Sequence, residues 1–242
     1  MWIKDDVDES GLGSDDVALQ SENSSVLWSS LGLMAYDEAL AIQESQANRL
    51  LELQEETQVV YTVEHPPTIT IGKNGTKANI VASDTWLEQM GFAVRNVDRG
   101  GDVTYHGPGQ AVLYPVLHLN PWGNDVGKYV RNLEECVILA LREAGIEGER
   151  LEGYPGVWVN DEKVCAIGAR VKRRVTGEFV TSHGLALNVT TNLAHFQTII
   201  PCGIQDKGVT SVANLLGEPP AMEDWFLRLK KSFETVFEVE LT

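Results

Sequence analysis

Cys202 stands between Pro201 and Gly203 in a loop, where a thiol can be accessible and has exposed backbone N–H groups beside it. The thiolate is the nucleophile, so a reactive cysteine needs a cation or hydrogen-bond donors close by. Lys163, in the run Lys163-Val164-Cys165-Ala166-Ile167, offers a cation, and His106 and His183 are rival partners for a Cys–His arrangement. Cys136, between helix neighbours Leu133 and Ala140, and Cys165, inside a strand run, read instead as packing residues.

A second stretch carries site chemistry without a nucleophile. RGGDVTYHGPGQAVLYP, from Arg99 to Pro115, packs Arg99, Gly100, Gly101, Asp102, Val103, Thr104, Tyr105 and His106 into a turn-rich segment, continues through Gly107-Pro108-Gly109-Gln110, and runs straight into an apolar strand. Glycines there let the backbone approach a ligand, while Arg, Tyr, His and Gln supply hydrogen-bonding groups.

Around these residues the composition narrows the field. A chain of 242 residues, 43% hydrophobic and 22% charged, is globular and can bury a sizeable core. A formal net charge of −16 argues against a nucleic-acid partner, which demands a basic face, and against an anionic membrane surface. Three cysteines are too few and too scattered for a disulfide framework or a paired metal site, so no metal is expected. With no apolar run of about 18 residues and no secretory or transit signal, the expectation is a cytoplasmic protein.

The elements that must position the site follow from periodicity and punctuation. Residues 1–25 hold Asp5, Asp6, Asp8, Glu9, Asp15, Asp16 and Glu22 against one lysine and read as a flexible acidic tail. Residues 26–242 read as one α/β-type domain. It opens with a short strand at Val26-Leu27-Trp28 and a long amphipathic helix over Met34 to Glu56, in which Leu40, Ala47, Leu50, Leu51 and Leu53 recur at roughly helical spacing. Strands are expected over Gln58 to Val63 and Thr68 to Ile71, as a hairpin or paired strands, then Ala93 to Val97 and Gln110 to Leu119. Ser83 caps a short helix to Met90, and Asn124 or Asp125 opens another to Ala144 with Gly145 as its stop. Beyond it lie a hairpin over Gly156 to Val171, a strand over Phe179 to Val189 and a last amphipathic helix from Met222 to Phe237. His183-Gly184 inside the strand marks a bulge or a close backbone approach. Arg170, Lys172, Arg173 and Arg174 form the only basic cluster.

Taken in order, RGGDVTYHGPGQAVLYP, KVCAIGARV, SHGLALNV and IIPCG resemble the blocks of the octanoyl (lipoyl) protein transferase family, over about Trp28 to Leu216. The resemblance implies the biotin/lipoate protein ligase-like fold, an α+β arrangement of mixed β-sheets flanked by helices. It implies transfer of an octanoyl group from octanoyl-acyl carrier protein to a lysine of lipoyl domains, those of 2-oxoacid dehydrogenase complexes and of the glycine cleavage H protein. The expected working form is a monomer. Cys202 corresponds to the acyl-thioester nucleophile and Lys163 to the lysine that lowers its pKa. Arg99 to His106, Ala166-Ile167-Gly168 and Gly184-Leu185-Ala186 correspond to the substrate-contacting segments. Position 166 is alanine where many relatives carry serine, so a backbone contact would survive there and a hydroxyl contact would not.

The physics is consistent with that assignment. An ammonium about 4 Å from a thiolate, at an effective dielectric near 20, is attracted by at most roughly 4 kcal/mol, and half of that takes a thiol from about 8.5 to about 7. A thioester is already activated, so no cofactor and no ATP are expected, and no GxxxxGK[ST] loop is present. The small residues Gly100, Gly101, Ala166 and Gly168 are expected to leave room for the acyl chain, and the basic cluster is a candidate dock for an acidic carrier protein. Three other readings compete: an ATP-dependent lipoate or biotin ligase, a non-catalytic lipoyl-domain-binding relative, and a Cys–His hydrolase.

Overall fold

The computed structural model describes residues 25–53, 57–200 and 207–242. The acidic segment at the start, the last residues of the reading that carried a helix to Glu56, and the Pro201-Cys202-Gly203 loop lie outside them.

The first half of the chain runs β1 (Ser25–Leu33), α1 (Tyr36–Leu51), β2 (Gln58–Glu64), β3 (Thr68–Ile71), α2 (Asp84–Gln89), β4 (Ala93–Asn96), β5 (Val103–His106) and β6 (Gln110–Val116). The second half runs α3 (Val126–Arg142), β7 (Glu149–Leu151), β8 (Tyr154–Val159), β9 (Glu162–Arg173), β10 (Phe179–Asn188), β11 (Gly208–Val209), α4 (Val212–Leu216), α5 (Met222–Phe237) and β12 (Glu240–Leu241). These strands make two mixed sheets. The large one has the order β12-β1-β2-β6-β10-β9-β8-β7 with β11 added to β9; the small one is β4-β3-β5. This is the α+β class expected from the sequence.

Period-two alternation gives the large sheet two faces. Val60, Ala111, Leu113, Leu185 and Leu187 point to one, where they meet Leu133, Val137 and Leu141 of α3 and Trp225, Leu229 and Phe233 of α5. Val59, Tyr61, Val63, Val112, Tyr114 and Ala186 point to the other, against Ala39, Ala47 and Leu50 of α1. The small sheet closes a third cluster in which Ile69, Val103 and Tyr105 meet Leu87, Phe92 and Phe196.

Local chemistry sets the helix ends. Ser83 Oγ accepts from Trp86 N–H at 3.2 Å and Asp125 accepts from Lys128 N–H at 2.9 Å, so α2 and α3 begin where their caps allow. Helix α1 has no side-chain cap and stops at Leu51; Leu53 lies past its end, with φ 56° and an exposed side chain.

The expected pairing of 58–63 with 68–71 is corrected. β2 joins β1 in parallel and β6 antiparallel, whereas β3 joins β4 and β5 in the other sheet. Pro66 and Pro67 lack the N–H groups a continuing ladder requires, and the chain changes sheets there. Also corrected is the reading of the 103–106 stretch as turn: it is strand β5. Among the described residues no helix is long and apolar enough to cross a membrane, and no group of three or more His, Cys, Asp or Glu is arranged to hold a metal ion.

Candidate active site

A cavity of about 600 Å³ opens where the small sheet meets the free edge of β9. Beyond Cys165, β9 is no longer paired with β8, and at Ala169 its carbonyl accepts from Gly100 N–H at 2.9 Å. The cavity is lined by Arg99, Gly100, Gly101, Asp102, Val103, Thr104 and His106, by Lys163, Ala166, Ile167 and Gly168, and by Gly184, Leu185 and Ala186. The sequence segments singled out for substrate contact therefore converge on one space, with one exception. Tyr105 alternates to the far face of β5, where its hydroxyl is 2.7 Å from His195 Nδ1 and its ring packs on Phe92 and Phe196.

The glycine-rich segment is held from within. The buried Arg99 guanidinium donates to the Thr70 carbonyl (2.9 Å) and Oγ1 (2.8 Å), to the Asp102 carbonyl (2.8 Å) and to the Gly100 carbonyl (2.9 Å). Asp102 Oδ1 accepts from Val103 N–H and its Oδ2 from the Asn79 amide, both at 2.7 Å. The expectation that small residues simply leave room for an acyl chain is corrected for Gly168. A Cβ there would stand 2.9 Å from the Gly100 carbonyl oxygen, so backbone approach of the Arg99 segment already occupies that side. Gly184 likewise marks a close approach and not a bulge, since the β9–β10 register runs unbroken through it.

At the polar end of the cavity the sequence reading named His106 and His183 but missed Tyr36 and Tyr114. Tyr36, Tyr114 and His183 line it together with His106. His65 bridges the Met34 carbonyl and the Tyr114 hydroxyl, each at 2.8 Å. His106 Nδ1 is 2.9 Å from Gln110 Oε1, and the Tyr36 hydroxyl is 3.4 Å from His183 Nδ1. His183, at φ 55°, has its N–H accepted by Gln43 of α1 (2.9 Å) and its Nε2 3.5 Å from Asp98. Burial keeps these rings uncharged: it lowers His65 and His183 to about 4, holds His106 well below the usual imidazole range, and raises Tyr36 to about 12. Tyr36 and Tyr114 carry no local sequence signal; His183 does, as a histidine-glycine pair inside a strand.

Lys163 lines the opposite wall, its ammonium donating to the Pro155 carbonyl at 3.1 Å. The described residues on either side of the 201–206 stretch are held in place. Before it, Ile200 N–H donates to the Asn79 carbonyl at 2.7 Å and Ile199 bridges Ile80. After it, Gly208 and Val209 pair with Glu162 and Lys163, and Thr210 N–H donates to the Lys163 carbonyl at 3.0 Å. Cys136 and Cys165 are buried packing residues, as expected, and burial raises both thiols.

Two of the four residues of the basic cluster are engaged within the fold. Arg170 pairs with Asp98 and, at 3.7 Å, with Glu44, while buried Arg174 donates to the Leu50 carbonyl at 2.6 Å. Lys172 is half-buried and Arg173 is exposed, its guanidinium donating to the Gly177 carbonyl at 2.9 Å and lying over the Phe179 ring.

Residues 35–234 match the model of the lipoyl protein ligase A/B catalytic domain. The chain is 46% identical over 212 residues to an octanoyltransferase of Caldicellulosiruptor bescii, covering 86% of this chain and 89% of that one. It is 50% identical over 179 residues to an octanoyltransferase of Chloroflexus aggregans, covering 73% and 79%. In fold it is similar to a lipoate-protein ligase A solved with bound ATP, with TM-score 0.71, 14% identity, and 90% and 87% of the two chains covered.

Proposed function

The chain belongs to the lipoyl protein ligase A/B catalytic-domain family, and from that premise we propose that it carries an octanoyl group from an acyl-carrier-protein thioester, through Cys202, to a lysine amine of a lipoyl domain. The thiolate of Cys202 attacks the thioester carbonyl. A new carbon–sulfur bond forms, the carrier's carbon–sulfur bond breaks, and the carrier thiolate leaves and takes up a proton. In the second step the acceptor lysine attacks the acyl-enzyme, a carbon–nitrogen bond forms, the amine loses a proton and the Cys202 thiolate is released. Lys163 has two roles in this reading: as an ammonium it stabilises the thiolate and gives its proton to the departing carrier thiolate, and as the amine so formed it takes the acceptor's proton, which restores the ammonium. Lipoyl domains of 2-oxoacid dehydrogenase complexes and the glycine cleavage H protein are the acceptors that fit the family.

One observation carries the reading. The wall of the cavity that holds Lys163 is the same stretch of β9 against which the chain resumes after residues 201–206, with Val209 paired to Lys163 itself. The neutral side chains of Tyr36, Tyr114, His106 and His183 at the polar end favour an uncharged substrate group over a charged one there. The test is incubation with octanoyl-acyl carrier protein in the absence of ATP, followed by intact-mass analysis and peptide mapping. One octanoyl adduct on Cys202, chased onto an apo lipoyl domain and lost in Cys202→Ser, is the expected result. An adduct of equal yield in Cys202→Ser, or acceptor octanoylation only with ATP, would overturn the reading.

A further inference from the structure

β8 sets Trp158 directly across from Lys163 in the antiparallel ladder. The indole is 2% exposed, and its Nε1–H donates to the Tyr154 carbonyl at 3.0 Å, so the plane of the ring is fixed. The Lys163 ammonium lies 4.7 Å from the ring centroid and the Lys207 ammonium 5.9 Å, both within cation–π range. Each is also steered by an oxygen, the Pro155 carbonyl at 3.1 Å for Lys163 and the Asp161 carboxylate at 2.6 Å for Lys207.

The arrangement has a physical purpose. A lysine ammonium sits on a flexible four-carbon stem and acts on a neighbour only while it is held. A leucine at position 158 would be apolar too, though it would leave part of the space empty, but only an aromatic face attracts a cation. Bringing two ammoniums to one ring is electrostatically unfavourable unless the ring and the two oxygens offset their repulsion.

We propose that Trp158 is a positioning residue: its face seats the Lys163 ammonium at the cavity wall and, by holding Lys207 as well, ties the first residue after the 201–206 stretch to that wall. The inference rests on the proposed role of Lys163 toward Cys202, and its test separates the two.

In the full chain, lysines are reductively methylated with carbon-13, which keeps their charge, and the Lys163 and Lys207 signals are assigned with arginine variants. Ring-current shielding by Trp158 should place the Lys163 methyl resonance upfield, the shift vanishing in Trp158→Leu and surviving in part in Trp158→Phe. Alongside, the rate of Cys202 alkylation is followed against pH. Trp158→Leu should slow it roughly threefold to thirtyfold near neutral pH, with recovery in alkali, in the same direction as Lys163→Met, while Trp158→Phe stays near the native rate. An unmoved Lys163 resonance in Trp158→Leu overturns the proposal, as does a native alkylation profile in that variant when Lys163→Met is shifted. If the resonance moves while Lys163→Met leaves alkylation unchanged, the seat stands and it is the activating role of Lys163 that fails. Should Trp158→Leu not fold, Trp158→Phe decides alone: a resonance unchanged from native, or one with no shielding left, counts against the seat.

Discussion

At Gly184 the fold admits only a hydrogen. A Cβ there would stand 2.3 Å from the Leu113 carbonyl oxygen and 2.7 Å from Pro115 Cδ, and the first of these is backbone of a central strand that cannot swing aside. Gly184→Ala should therefore destabilise the protein by about 1–3 kcal/mol, read as a lowered urea midpoint with an unchanged slope. Gly100→Ala is the contrast, since its nearest neighbour is the Ala169 carbonyl oxygen at 3.2 Å. The residue types at the cavity were legible in the sequence because glycines clustered among Arg, Tyr, His and Gln are chemically unusual. Their individual reasons were not. Gly168 and Gly184 are small because another segment's backbone lies against them, a fact of tertiary distance that no local pattern records. Tyr105 sat inside the right motif but on the wrong face, as strand alternation would have indicated had the 103–106 stretch been read as strand.

Between elements, one strut joins the glycine-rich segment to the chain leading toward Cys202. Asp102 holds the Asn79 side chain, and the Asn79 carbonyl in turn accepts from Ile200 N–H. Replacing Asn79 by alanine removes a hydrogen bond to a carboxylate, worth about 1.5–3 kcal/mol. The expected outcome is amide exchange at Ile200 faster by tenfold or more, with exchange at core positions such as Val112 unaltered; equal protection at Ile200 would count against the strut. Elements with local punctuation were readable: α2 from its serine cap, α3 from Asp125, and α5, whose bounds coincide with the predicted Met222 to Phe237. Among the unread ones, β5, β11 and β12 are two to four residues long and owe their existence to partners far away in the chain. The division of strands between two sheets was equally hidden, because pairing between residues far apart in the chain, such as Val59 with Val116, leaves no periodic trace.

The molecule as a whole carries its histidines largely neutral and buried, and this makes its stability depend on pH. His65 and His183 titrate at about 4 when folded because burial disfavours the charged ring, against the ordinary imidazole value of 6.5. Above pH 6.5 both rings are neutral folded or unfolded and the full stability is present. As the pH falls from 6.5 towards 4 the unfolded chain takes up protons that the folded one refuses, so stability is lost across that window, at about 2 kcal/mol for each ring by pH 5. Urea titrations at pH 7 and pH 5 should register the difference, and His183→Gln should flatten it; a His183→Gln profile as steep as the native one would refute the assignment to that ring.

The anchors on either side of residues 201–206 belong to different bodies, Ile200 to the side of the small sheet and Val209 to the edge of the large one. The separation of Ile200 from Lys207 is thus set by how the two sheets stand to one another.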